Sequence, residues 1–97
     1  MTASVLLEGN LKDGNLDALK KMAEEKYPVT RSYDGCIGIN LTINFEDSNN
    51  FVMTETWESK EHYEKYLQFR IEDGTVAELT DLCVEAPSIR IFDITSI

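Results

Sequence analysis

The sequence predicts an α+β fold of the ferredoxin-like βαββαβ kind, an antiparallel sheet with helices on one face. Three features carry this prediction. Apolar and polar residues alternate from Cys36 to Phe45, which is the period of a strand. Leu16, Leu19, Ala23 and Tyr27, and later Tyr63, Tyr66, Leu67 and Ile71, recur at helical spacing. The turn signals Lys12-Asp13-Gly14, Tyr33-Asp34-Gly35 and Asp73-Gly74 divide the chain into short elements.

Taken in order, Ser4–Asn10 reads as the first strand, with Val5, Leu6 and Leu7 as its apolar part. A helix over 15–31 follows, and Asn15 is placed to cap its free amides. Lys20, Lys21, Glu24 and Glu25 fall on its polar face. Pro28 lacks an amide proton and is expected to kink this helix or begin a new turn. In the second strand Ile37, Ile39, Leu41, Ile43 and Phe45 share one face. Cys36, Gly38, Asn40, Thr42 and Asn44 share the other. Glu46–Asn50 is a polar hairpin turn.

The third strand, Phe51–Trp57, sets Phe51, Met53, Glu55 and Trp57 against Val52, Thr54 and Thr56. A second helix starts at Ser59, without a proper capping box, and runs to about Arg70. Thr75–Val84 reads as a third short helix, and Pro87 introduces a last strand, Ser88–Thr95. Helices cover one sheet face. The other face also carries apolar groups, and a second copy packing sheet to sheet is its simplest cover.

Length and charge set further bounds. The 97 residues make one domain, residues 1–97. A domain of this size buries roughly 60–65% of its unfolded surface, so a second apolar surface favours a homodimer. Acidic residues outnumber basic ones by 18 to 9, for a net charge of −9. That field repels phosphate backbones and anionic lipid, so no nucleic-acid partner is expected. No apolar run approaches the ~18 residues of a membrane span. The opening MTASVLLEGN has no basic segment, so no signal peptide is expected. Two cysteines, Cys36 and Cys83, lack CxxC spacing. A reduced cytoplasmic chain is expected, without a disulfide framework or a zinc site.

Several polar residues stand where chemistry is possible. Glu55 lies mid-strand between Met53 and Trp57. A carboxylate there is either paired, with Arg70 or Arg90, or raised in pKa inside a cavity, and pairing is the commoner outcome. Trp57 reads as a core or interface residue or as a pocket wall. Tyr63 and Tyr66 read as core aromatics or as pocket phenols. His62, the one histidine, reads as a solvated first-turn residue or as a base. Asn40 and Thr42 read as a solvated face or as the polar lining of a covered barrel. Cys36 reads as a packing residue, because no basic neighbour in sequence activates its thiol.

The pieces Gly35-Cys36, Trp57-Glu58-Ser59 and Leu67-Gln68 resemble the antibiotic biosynthesis monooxygenase (ABM) family. The likeness spans nearly the whole chain in element order. The tail from Tyr66 is similar to a sub-branch with an Arg-x-x-x-Gly stretch and a proline before the final strand. The resemblance implies a homodimeric α+β barrel that oxidises quinols or anthrones with O2, using no bound metal or flavin cofactor. In the anthrone-oxidising branch a strand-end Trp, a Tyr six residues later and an Asn four residues before the Trp carry function. Trp57 and Tyr63 match the first two, and the Asn position is Met53. The haem-degrading branch places an axial His after the second helix, and residues 70–84 contain none.

The sequence therefore points to a cofactor-independent monooxygenase of a small quinol- or anthrone-like aromatic. Trp57, Tyr63 and Glu55 are its catalytic candidates. Asn40, Thr42, Met53, Tyr66, His62 and Arg70 are candidates to surround the substrate. The alternative is a catalytically silent, small-molecule-binding or structural homodimer. A third option is an isomerase or decarboxylase with Glu55 or His62 as base.

Overall fold

The computed structural model describes all of residues 1–97. Its elements are β1 (Ala3–Asn10), α1 (Leu16–Ser32), β2 (Cys36–Asn44), β3 (Asp47–Trp57), α2 (Lys60–Glu72), α3 (Thr75–Leu82) and β4 (Ser88–Asp93). The strands form one sheet in the order β2-β3-β1-β4, with every neighbouring pair antiparallel. This is the ferredoxin-like arrangement: each helical crossover skips one strand, and the skipped strand fills the gap.

β1 is central and shows the sheet's parity most clearly. Ala3, Val5, Leu7 and Gly9 are buried toward the helices, while Ser4, Leu6 and Glu8 turn to the other face. Val5 lies opposite both Glu55 and Ile91, and Leu7 lies opposite Met53 and Ile89. α1 lays Leu19, Met22, Ala23, Tyr27 and Thr30 onto this face. Leu7, Leu19, Met22, Phe51, Met53 and Leu79 belong to one buried apolar cluster, while Val5, Trp57, Tyr63 and Tyr66 belong to a second. Complete shielding of a side chain such as Leu19 or Val5 stabilises the fold by about 1.5–3 kcal/mol each.

Several local expectations are corrected. The alternation of β2 breaks at a register shift between Cys36 and Gly38. The bulge leaves Ile37 exposed and turns Cys36 toward Trp57. Phe45 lies beyond the end of β2 and is fully exposed at the hairpin. β3 starts at Asp47, so most of the expected turn is strand. Asn15 occupies the N-cap position, but its side chain caps nothing. It donates instead to the Leu82 carbonyl at 3.0 Å and ties the start of α1 to the end of α3.

α1 neither ends nor restarts at Pro28. Beyond the proline, Thr30 Oγ1 donates back to the Lys26 carbonyl at 3.2 Å. On α2, Ile71 is half exposed and Arg70 takes the inward position. Ser59 does cap α2. Its Oγ accepts from the His62 amide at 3.1 Å, and the His62 ring returns a contact through Nδ1 at 2.6 Å.

No helix covers the far face of the sheet. Leu6 and Glu8 of β1, Val52, Thr54 and Thr56 of β3, Asn40 and Thr42 of β2, and Arg90 and Phe92 of β4 share it by register.

Candidate functional site

The helix-facing side of β3 carries Met53, Glu55 and Trp57 in consecutive inward positions. Between this side and the three helices lies a cavity of about 60 Å³. Leu7, Met22, Met53, Leu67, Val76 and Leu79 supply most of its apolar wall. Glu55, Tyr27, Tyr63, Tyr66, Thr75 and Arg70 bring polar atoms to the same wall.

Glu55 is only 5% exposed and forms an ion pair with no cation. This corrects the expected pairing with Arg70 or Arg90. Burial pushes its carboxyl from the usual 4.5 up to about 7, and a hydrogen bond from Trp57 partly opposes the rise. That bond runs from Trp57 Nε1 to Glu55 Oε1 at 3.0 Å. The carboxyl is therefore poised to take or give a proton near neutral pH.

The two arginines are engaged elsewhere. Arg70 donates from Nε to the Tyr66 hydroxyl at 2.9 Å and from Nη1 to Asp73 at 2.9 Å. Its Nη2 donates to the Lys26 carbonyl at 2.9 Å and to Thr30 Oγ1 at 3.3 Å. Thr30 and Tyr66 also share a 2.6 Å hydroxyl contact. This network fastens α2 to α1 and uses up the guanidinium. Arg90 pairs with Glu8 on the far face of the sheet at 3.3 Å.

Trp57 is completely buried, yet it does not border the cavity. Its ring packs on Tyr66 and Tyr63, with centroids 4.9 and 5.7 Å away. It acts on the cavity through its hydrogen bond to Glu55. Burial first, and then the charge of Glu55, push the Tyr27 and Tyr63 phenols well above their ordinary range, so both stay protonated.

The model of the family described as antibiotic biosynthesis monooxygenase matches residues 3–70. The chain belongs to that family. A conserved protein of Methanosarcina mazei Go1 superposes with a TM-score of 0.89 at 14% identity, over 98% of this chain and 94% of that one. A candidate antibiotic biosynthesis monooxygenase of Deinococcus radiodurans gives 0.84 at 18% identity, over 100% and 95%. Another candidate, from Nitrosomonas europaea, gives 0.80 at 17%, over 98% and 91%. At these identities the likeness shows the fold. No curated relative matches the sequence.

Two of the pieces that carry the sequence resemblance meet in the structure. The Gly35 carbonyl accepts from the Glu58 amide at 2.8 Å, so the Gly-Cys turn and the Trp-Glu-Ser segment are bonded directly. Gly35 has φ of +89°, and a Cβ there would sit 2.4 Å from the His62 ring. Only glycine meets both demands without strain.

Of the residues singled out in the sequence, Glu55, Tyr63, Met53, Tyr66 and Arg70 line the one cavity. Asn40 and Thr42 do not reach it. They stand exposed on the opposite face, where Thr42 Oγ1 donates to the Val52 carbonyl at 2.6 Å. His62 is also outside it. Its Nε2 lies 3.9 Å from Asp34 and 3.8 Å from Glu58 at the surface. Tyr27 and Thr75 also line the cavity, although the sequence pattern marks one only as part of a helix stripe and the other only as a helix start. The available signal was a phenol on the apolar stripe of α1, where a hydroxyl needs a partner. No helix is long and apolar enough to cross a membrane.

Proposed function

We propose that this ABM protein is a monooxygenase of a small, single-ring, electron-rich phenol, with Glu55 as the proton acceptor. The observation that carries this is a buried carboxyl on the wall of a largely apolar cavity, ion-paired with no cation and pushed by burial up to about 7. An ordinary surface carboxylate is too weak a base for a phenol. One raised by burial is better matched to the task.

In the chemistry we propose, Glu55 takes the proton of a ring hydroxyl. The anion passes one electron to O2, giving a ring radical and superoxide. The two radicals join in a carbon–oxygen bond, and the peroxide takes a proton from Glu55. Loss of water across the H–C–O–OH group then leaves a carbonyl. One oxygen atom enters the product and the other leaves as water. The apolar wall supports this by keeping bulk water from the anion and the peroxide.

Cavity size narrows the substrate. A space of about 60 Å³ is less than half of the ~150 Å³ of engineered cavities that hold benzene. Even a single ring therefore requires the side chains of Met22, Met53 and Leu67 to move, and a tricyclic anthrone requires a far larger displacement. Oxygen uptake with monocyclic hydroquinones and with anthrones tests the proposal. Consumption with the former, lost by on the order of 100-fold in Glu55→Gln, is expected. No consumption above the uncatalysed rate by folded protein would refute it.

Homodimer formation belongs to the same proposal. Leu6, Val52 and Phe92 on the uncovered face support sheet-to-sheet pairing of two copies. Sedimentation equilibrium is expected to give twice the chain mass, and a monomer at all concentrations would overturn the pairing. The unpaired thiols of Cys36 and Cys83 suit a reducing cytoplasm. Met53 at the Asn position of the anthrone-oxidising branch favours a second reading, a silent binding homodimer. That reading expects ligand binding without oxygen uptake.

A further inference from the structure

Tyr27 has an unusual place in the wall of the cavity. It is 93% shielded from solvent, with 7% of its surface exposed. Its hydroxyl has no hydrogen-bond partner. The neighbouring phenol, Tyr66, is saturated by Thr30 and Arg70. A buried hydroxyl without a partner is rare in folded proteins, because desolvation is then uncompensated.

The surroundings leave few ways to satisfy this group from within the chain. Tyr27 and Ala23 form the wall shared by the inner cavity and a surface groove of about 480 Å³. The groove is lined by Lys20, Glu24, Pro28, Arg31 and Asn40 as well. Arg31 lies over the Tyr27 ring, 5.4 Å from its centroid, and gives one donor, from Nη2, to the Ile39 carbonyl. The phenol stays protonated, held so by burial and by the charge of Glu55. It is therefore a hydrogen-bond donor without an acceptor, within electrostatic reach of a proton acceptor.

We infer that Tyr27 donates a hydrogen bond to the same phenolic oxygen of the ligand that Glu55 deprotonates. A phenol needs both partners. As a neutral hydroxyl it donates to a carboxylate, and as an anion it accepts from a donor. Glu55 alone serves the first state. Tyr27 serves the second, which makes it the group that stabilises the bound anion. The ligand class is a one-ring phenol or enol with an unhindered hydroxyl. This inference rests on the reading of the cavity as a phenol site, but not on oxygen chemistry.

Binding of para-fluorophenol, followed by fluorine NMR across the pH range around the Glu55 titration, tests it without turnover. The shift of the bound fluorine reports whether the phenol is ionised. Tyr27→Phe removes only the unpartnered hydroxyl, so its circular dichroism and urea midpoint are expected to match the parent. Binding of the anion is expected to weaken roughly 10- to 100-fold, and the bound phenol is expected to ionise at higher pH. Unchanged affinity and unchanged ionisation in Tyr27→Phe would overturn the inference, as would a parent protein that binds no fluorophenol. If Tyr27→Phe does not fold, fluorotyrosine at position 27 gives the opposite comparison. Its stronger donor is expected to tighten anion binding, and no tightening would overturn the inference. Tyr27-dependent binding by a protein that consumes no oxygen would uphold this inference and refute the monooxygenase reading.

Discussion

Replacing Glu55 with glutamine removes a buried charge and leaves the shape nearly unchanged. The amide oxygen still accepts from Trp57 Nε1, which in the native chain bonds Oε1 at 3.0 Å. In the folded chain Glu55 titrates at about 7, against an ordinary value of 4.5. The folded state thus holds this proton more tightly than the unfolded state. Below the ordinary value both states are protonated, and burial of the group carries no charge penalty. As pH rises toward 7 the unfolded chain ionises first and stability falls. Above the folded titration the loss is complete. The separation of the two titrations corresponds to roughly 3 kcal/mol. That is a large part of the ~5–15 kcal/mol that holds a small domain together.

The charged and titratable groups facing Glu55 across the cavity are Lys26 and Tyr27 on α1 and Tyr63, Tyr66 and Arg70 on α2. The three phenols are all raised and the Arg70 guanidinium is raised as well, so Glu55 is the one of these shifted groups that titrates near neutral pH. Urea unfolding of parent and variant at matched protein concentration, from mildly acidic to mildly alkaline pH, checks this. The stability of the variant relative to the parent is expected to climb with pH and level off at about 3 kcal/mol in its favour. A flat difference curve would show that the carboxyl is not desolvated, and the case for Glu55 as a raised base would fail with it.

Other consequences follow from the same contacts. Trp57→Phe removes the donor that favours the ionised carboxylate, so Glu55 is expected to titrate above its native position. The pH profile of activity or the carboxyl carbon resonance reports this, with a stability cost of about 1–2 kcal/mol. Arg70→Lys keeps the charge but loses the fork that reaches Tyr66, Asp73, Thr30 and the Lys26 carbonyl. Urea unfolding is expected to show a loss of about 2–4 kcal/mol. Gly35→Ala meets both a positive φ and the His62 ring, and is expected to destabilise by about 2 kcal/mol or more. Adding His62→Ala should restore only the part due to the ring, because the His62 Cβ itself lies 2.5 Å from the added methyl and the positive φ remains.

The fold was legible because period and face parity are backbone properties. Once Phe51–Trp57 is a strand, Met53, Glu55 and Trp57 must share a side. The same parity places Asn40, Thr42 and Arg90 on the other side. The bulge at Ile37 was not legible, since it depends on how β2 meets the end of β3 beside the Gly35 turn. The isolation of Glu55 was legible only in part. Asp73, three residues after Arg70, is a visible competitor for the guanidinium, but Tyr66, Thr30 and the Lys26 carbonyl join it only through the packing of α2 on α1. For Tyr27, helical spacing assigns the core face. Whether its hydroxyl finds a partner depends on every side chain around it.

Met53 takes a different meaning once the faces are known. The amide that resemblance to the anthrone-oxidising branch implies at this position would project into the same cavity as Glu55, since Met53 and Glu55 both line it. Residues two apart on a strand lie roughly 6.6 Å apart. The polar group of β3 is therefore displaced by one pleat, and its character changes with the move. An amide can donate to a substrate oxygen, whereas a carboxylate accepts a proton from it. A site that exchanges a donor for an acceptor on the sheet then needs a donor from another element. Tyr27 on α1 offers a buried hydroxyl with no partner of its own. In this account the methionine and the unpartnered phenol are two sides of one rearrangement, in which the sheet supplies the base and the helix supplies the group that holds the anion.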